Sequence, residues 1–313
     1  MDWTDRIGRR LKPRDLHIFM AVIEQGNMAK AAERLAISRP VVSKTIADLE
    51  LTLGVRLLDR NPQGVEPTLY GHALLKRGVA VFDELRQSVK EIEHLADPAG
   101  GELRVGCTET ITAGVVSAAI GRLLRRHPQV IFEHEVGTVA TRLDLLRQRR
   151  CEVVIARPMP PQSEPDLDFE PLFYERLLAV AGPRNKWIGR RKIELAELAD
   201  EPWIQSRFEV QPGGPTFEAF RMMGLEVPRV RLFSDSLNLR YTLLATGRFI
   251  TMIPASVHLL GPKRTALKVL PIVIPRWQWP TSIVTLKNRT LSPLAQRFIE
   301  YLREVTRPLA KER

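Results

Sequence analysis

The chain reads as an α/β protein in three parts. These are an all-α winged helix-turn-helix, one long helix, and a C-terminal region of alternating strands and helices. Three observations predict this. Asn27 to Glu50, NMAKAAERLAISRPVVSKTIADLE, holds two helical patterns separated by a short turn. Tyr70 to about Leu95 carries one continuous 3-4 spaced apolar seam. Beyond Asp97-Pro98-Ala99-Gly100-Gly101, short β-rich runs alternate with amphipathic stretches.

In chain order, Leu16 to Gly26 reads as a supporting helix ended by glycine. The next helix runs Met28 to Leu35, with Ala29, Ala31, Ala32 and Leu35 supplying small and apolar contacts. Ala36-Ile37-Ser38 is the turn. Ser38 is a candidate cap for the following helix, with Pro40 in its first turn, where a missing N–H costs nothing. That helix is expected to carry Val41, Ile46 and Leu49 inward and Arg39, Ser43, Lys44 and Thr45 toward its other faces. Such a pair of helices is built to place the second one in a DNA major groove.

Residues 59–68, DRNPQGVEPT, read as a turn-rich hairpin, the wing, with Arg60 at its base. Arg60 is either a phosphate or minor-groove contact or a solvated surface arginine. The long helix follows. Its seam of Leu75, Phe82, Leu85, Val89 and Ile92 needs a partner, either its own domain or a second copy of the chain.

After the hinge at 97–101, GELRVGC, QVIFEHEVG and CEVVIAR read as strands, with helices over AGVVSAAIGRLLRRHP and TRLDLLRQRR. This order predicts a parallel sheet. FYERLLAVAGP leads onward to EPWIQ, a helix around Thr216–Met223, RVRLF, a helix over Leu237–Thr246, and FITMIPAS. Residues 281–305 close as strand then helix.

Ligands in open α/β sheets bind beyond the carboxyl ends of strands. That rule nominates Thr108 and Thr110 after the first strand, Thr138 after the second, Arg157 after the third, and Gln205 and Ser206 after EPWIQ. Helix capping is the competing role for Thr110 and Thr138. Glu109 would repel an anion unless it points away; otherwise it suits a sugar hydroxyl or a cation.

The order of helix, helix-turn-helix, "LGVRLLDR", "GVEPT" wing and long helix resembles the LysR-type transcriptional regulators, over nearly the whole chain and most strongly over residues 14–75. The resemblance implies a DNA-binding regulator with a winged domain (1–69), a dimerisation helix (70–96) and a two-lobed, periplasmic-binding-protein-like effector domain (97–313). Lobe I is expected at about 102–178 plus 275–313, and lobe II at about 179–274. Implied partners are double-stranded operator DNA, a small-molecule effector, RNA polymerase, and further copies of the chain as homodimer or homotetramer. Ser38, Arg39, Pro40, Val42, Ser43, Lys44 and Arg60 are the DNA-binding candidates. Arg39 stands where the family commonly has glutamine, and either reads guanine O6/N7 or turns to phosphate. Val42 suits a thymine methyl. The family's second basic wing residue is replaced by Gln63. The phrases "RKIELAELADEPWI", "LLATGRFITMIPASV" and "TLKNRTLSP" resemble a sugar-responsive branch, which implies a sugar-like effector or a small organic acid.

Composition fits this reading. The 313 residues suffice for two or three domains, and 44% hydrophobic content is ordinary for a globular chain. Net charge is +11, which suits a polyanionic partner. Yet residues 1–82 carry only 13 basic against 9 acidic side chains, so the helix-turn-helix is not uniquely basic. No apolar run is long enough for a membrane span, and MDWTDRIGRRLKPRD is no secretory signal, so the cytoplasm is expected. Cys107 and Cys151 form no disulfide framework. The six histidines show no metal-ligand spacing, and no phosphate loop or nucleophile elbow occurs. No cofactor, metal or catalysis is expected. The rivals are a constitutive DNA-binding protein and a helix-turn-helix fused to an enzyme. Cys107 is a small core residue or, near a helix start, a redox sensor.

Overall fold

The computed structural model describes residues 10–61, 64–157, 164–261, 267–274 and 280–311. They form two compact units that divide after Ser88.

In the first unit, helix α1 (Pro13–Gln25) ends at Gly26 in the left-handed conformation, φ 60°. Helix α2 (Met28–Arg34) is capped by Asn27, whose side chain accepts from Ala29 N and Lys30 N. Helix α3 (Arg39–Leu53) has Ser38 at its N-cap with an N-terminal proline, but the Ser38 side chain makes no cap bond. Val42, Ile46 and Leu49 of α3 close the core with Phe19, Val22, Ala31 and Leu57. This corrects the expected register: Val42 is fully buried, and Val41 is exposed. The spacing 42, 46, 49 is one helical face, whereas 41 and 46 lie on different faces.

Strands β1 (Leu58–Asn61) and β2 (Gly64–Pro67) pair antiparallel as the wing. Three bonds anchor it. Glu50 Oε1 on α3 accepts from Leu57 N (2.8 Å) and Leu58 N (3.2 Å). Val65 N donates to Gly26 O (2.9 Å). A side chain at Gly64 would bring its Cβ to 2.4 Å from that same carbonyl, so glycine permits the approach. The wing-tip residue Gln63 lies outside the described residues.

Helix α4 (Leu69–Ala96) spans 28 residues, about 42 Å at ~1.5 Å per residue. Its apolar seam divides. Leu75 packs on the core of the first unit, and Phe82 meets the His17 ring at 5.6 Å. Leu85, Val89 and Ile92 are exposed, as are Val81 and Leu95.

The second unit holds two five-stranded sheets. The first has the order β4 (Ile131–Val136), β3 (Glu102–Cys107), β5 (Val153–Ala156), β12 (Pro280–Leu286), β6 (Leu167–Tyr174). Strands β4, β3 and β5 run parallel. β12 is antiparallel to both β5 and β6, so the sheet is mixed rather than purely parallel. The reason is the route of the chain: β12 is the returning strand and enters from the other end. The second sheet has the order β11 (Lys268–Val269), β7 (Leu177–Ala181), β10 (Ile250–Pro254), β8 (Trp203–Gln205), β9 (Val230–Phe233). The chain thus passes between sheets twice, after β6 and before β12.

A helical turn (Glu109–Ile111), a π-helical segment (Thr112–Val116) and α5 (Ser117–Arg126) follow β3 without a break. The helix therefore starts earlier than the apolar pattern from Ala113 predicts. Helix α6 is Val139–Arg147, α7 Pro215–Met222, α8 Leu237–Leu244, α9 Ala255–Leu260 and α10 Pro293–Lys311. One core gathers β3, β5, α5 and α10 around Leu103, Val105, Leu123 and Phe298. Another gathers around Trp203, Phe220 and Ile250 beneath the second sheet. In this unit the end of α4 is held by Lys90 Nζ donating to buried Glu152 Oε1 (2.7 Å). Glu152 Oε2 also accepts from Ser292 N (2.9 Å).

Candidate functional sites

The first candidate surface is the outer face of α3. Ser38, Arg39, Pro40 and Lys44 are exposed, Ser43 is half-buried, and Arg60 stands exposed on β1 opposite Val65. Val42 is not on this face. Its side chain is in the core and cannot meet a base; the exposed valine is Val41.

The second lies at the carboxyl ends of the two sheets. β3 leads to a neighbouring parallel strand on either side, so its end is a topological switch point, where such folds leave a crevice. Arg157, just past β5, reaches three elements. Its Nε donates to Thr281 Oγ1 (3.0 Å), Nη1 to Thr110 Oγ1 (3.4 Å) and Nη2 to Glu175 Oε2 (3.0 Å). Glu175 is buried between β6 and β7, where the chain passes between sheets. It also accepts from Ser256 N (3.1 Å) and Ser256 Oγ (2.5 Å), at the start of α9. One carboxylate therefore joins residues attached to both sheets. Gly114 of the π-helical segment makes the same approach possible: a Cβ there would sit 2.9 Å from Ser256 O.

Gln205 and Ser206 belong to a separate cluster. Glu209 Oε2 accepts from Ser206 N (2.6 Å), and Glu209 N donates to Ser206 Oγ (3.2 Å). In the orientation that satisfies its surroundings, the Gln205 amide donates to Glu209 Oε2 (2.6 Å) and accepts from Met252 N (3.1 Å). Buried Arg240 of α8 completes the cluster, with Nη2 2.9 Å from Glu209 Oε2 and two bonds to Ser234 O. Both polar atoms of the Gln205 amide are thereby engaged inside the protein. Thr138 is exposed and caps α6 by accepting from Thr141 N. Thr108 sits at the N-cap of the turn after β3 without a side-chain cap bond, and its carbonyl accepts from Thr112 Oγ1 (3.0 Å).

Cys107 Sγ lies 3.2 Å from Thr112 Oγ1 and 3.1 Å from His134 Nε2. Burial pushes its thiol up to about 11 and that of Cys151 to about 12, away from the thiolate a redox sensor uses. Burial lowers His134, and the nearby Arg142 charge adds to this. Tyr241 on α8 is raised chiefly by burial, with the Glu109 charge adding in the same direction. Among the described residues no group of three His, Cys, Asp or Glu side chains is arranged for a metal ion. Among them, too, no helix is long and apolar enough to cross a membrane.

Comparison with known proteins decides the family. Residues 13–72 match the bacterial regulatory helix-turn-helix protein model of the lysR family, and residues 96–307 match the LysR substrate binding domain. The chain belongs to the LysR family. It is a DNA-binding transcriptional regulator with an effector domain. Among its relatives, the HTH-type transcriptional regulator PcaQ of Agrobacterium fabrum is 33% identical over 85% of this chain and 86% of its own length. GbpR of Azospirillum brasilense is 27% identical over 94% of this chain and 86% of its own. The crystal structure of full-length CbnR complexed with its target DNA is 25% identical, with TM-score 0.55, covering 95% of this chain and all of that one. A full-length OxyR of Pseudomonas aeruginosa, 22% identical with TM-score 0.61 over 95% of each chain, shares the fold.

In this LysR-family chain the sequence reading missed Glu175, Ser256, Glu209, Arg240 and Tyr241. A signal existed for two of them. Glu175 interrupts the apolar runs of β6 and β7, and Arg240 sits within the apolar helix LNLRYTLL. A charge in such surroundings is buried only when paired.

Proposed function

We propose that this chain works in the cytoplasm as an effector-gated operator-binding protein, without catalysis of its own. Residues 1–69 read DNA, 70–96 pair two copies, and 97–313 sense a small polar molecule between the lobes. Two dimers assemble into a tetramer. The observation that carries the sensing role is the convergence of Arg157, Thr110, Thr281 and Ser256 on and around Glu175, where the chain passes between the sheets. A ligand meeting Thr108 and Thr110 from one lobe and Tyr241 from the other stabilises the closed arrangement by its differential affinity. Closure then changes the spacing of the reading heads within the assembly.

On the DNA side, the exposed face of α3 supports Arg39 and Lys44 as contacts, with Val41 replacing Val42 beside them. Arg39→Ala is expected to cost roughly 1–3 kcal/mol at one operator position and to relax specificity there. Gel shifts on single-base operator variants measure this; equal loss on every sequence assigns Arg39 to phosphate instead. For sensing, thermal melting of the full chain against sugars, sugar acids and aromatic acids is the direct test, since a ligand that binds only the folded state raises the melting temperature. No shift with any class removes the sensing role.

A further inference from the structure

The helix-turn-helix does not account for the charge of this chain. Residues 83–313 carry 34 basic against 27 acidic side chains. Much of that excess is drawn into one loop. PRNKWIGRRK (183–192), which follows β7, holds five basic residues and no acidic one.

The strand register places this loop. β7 runs antiparallel to β10 with Ala181 opposite Ile250, and Ile250 is also opposite Trp203 of β8. The loop therefore leaves the second sheet at the amino ends of β8 and β10. Gln205 and Ser206 stand at the other end, so the loop is no part of the cleft. Arg248, just before β10, joins it there. Arg184 Nη2 donates to Ala245 O (2.9 Å), and Asn185 Nδ2 donates to Gly247 O (2.9 Å).

The loop has a packed interior and a charged exterior. Trp187 is buried, and its backbone N donates to Asn185 Oδ1 (3.0 Å). Lys186 and Arg190 lie over the Trp187 ring, 5.6 and 5.4 Å from its centroid. Arg248 lies over the Phe249 ring at 5.7 Å. Arg184, Lys186, Arg190, Arg191, Lys192 and Arg248 are all exposed. Lys186 pairs with Glu201 (2.7 Å) and Lys192 with Glu194 (2.5 Å). Among the described residues, no carboxylate pairs with Arg184, Arg190, Arg191 or Arg248. Exposed guanidinium groups without a carboxylate suit phosphate oxygens, which they meet as a bidentate fork.

We propose that this end of the second sheet binds the phosphate backbone of duplex DNA, as a sequence-independent contact additional to the base-reading helix α3. Duplex DNA is the partner because the chain is a DNA-binding regulator, and its regular row of phosphates matches several separate guanidinium groups. Such contacts add affinity and fix position without reading bases. The proposal does not depend on the effector or on its binding.

The test is fluorescence anisotropy of the full chain on a labelled duplex of the intergenic region beside its own gene, between about 50 and about 200 mM salt. Each phosphate neutralised contributes about 0.9 to the slope of log K against log salt. Arg190→Gln with Arg191→Gln and Arg248→Gln is expected to flatten that slope by roughly 2 to 3. The ratio of operator to unrelated-duplex affinity and the melting temperature should stay as they are. Lysine at the same three positions should keep the slope. Arg191→Glu alone should flatten it by about 0.9 or more. An unchanged slope in both the glutamine triple variant and Arg191→Glu overturns the proposal. So does a slope that flattens only in variants whose melting temperature falls. Phosphatidylglycerol vesicles are the control: binding that the triple variant loses while its DNA slope is unchanged assigns the patch to an anionic membrane surface and overturns the DNA contact.

Discussion

Val42 is packed against Ile46 and Leu49 beneath α3, while Val41 is on the outer face of the same turn. Substitutions at the two valines therefore test stability and recognition separately. Val42→Ala should cost roughly 2 kcal/mol of unfolding free energy and leave operator preference unchanged. Val41→Ala should leave denaturant midpoints within about 0.5 kcal/mol, as for a surface site, and change binding only on operator DNA. Reversal of these two results would restore Val42 to the DNA surface. Cys107 makes a second prediction. Its thiol is raised from 9.0 to about 11 by burial, so between those values the folded chain holds a proton that the unfolded chain has lost. Stability is then expected to fall as pH rises from 9.0 toward about 11. Cys107→Ser should flatten that slope in pH-dependent denaturation. His134 has the opposite sign: its lowered value makes folding less favourable as pH falls through 6.5. At this scale the chain order nominated Arg39, Lys44, Thr110 and Arg157 by their places relative to elements, and the structure puts Arg39 and Lys44 on the exposed face of α3 and Thr110 and Arg157 just past β3 and β5. It did not reveal Glu175 or Ser256 as partners of Arg157, because that pairing depends on how the two sheets meet.

Helix α4 shows what a single chain leaves undone. Leu75 and Phe82 are spent on the first unit, yet Val81, Leu85, Val89 and Ile92 remain exposed on a helix of 28 residues. An apolar stripe at 3-4 spacing is stabilised by a facing helix. Leu85→Glu with Ile92→Glu should shift the chain toward monomers in light scattering after size exclusion, with the fold retained by circular dichroism. An unchanged assembly mass would move the pairing surface elsewhere. The periodicity made the helix and its seam legible in the sequence. It did not divide the seam, because two neighbouring faces of one helix share nearly the same pattern. Strand β12 illustrates the same boundary: its apolar run was readable, while its antiparallel entry between β5 and β6 follows from the chain's return.

For the molecule as a whole, the alternation of strands and helices announced the α/β unit, whereas the two compact units divide after Ser88 rather than at 97–101. Glu175 gathers residues from both sheets, and Glu152 holds Lys90 at the end of α4. Within the second unit, the first sheet and the end of α4 are thus joined by an ion pair. Glu152→Gln is expected to keep ligand-induced stabilisation while weakening the response of DNA binding to ligand. The central claim is that ligand and operator are coupled. The most direct measurement is a nuclease footprint on the intergenic region beside the chain's own gene, with and without a compound that raises its melting temperature. The account predicts a protected region whose length or spacing changes when ligand saturates the protein. An identical footprint at saturation would contradict it.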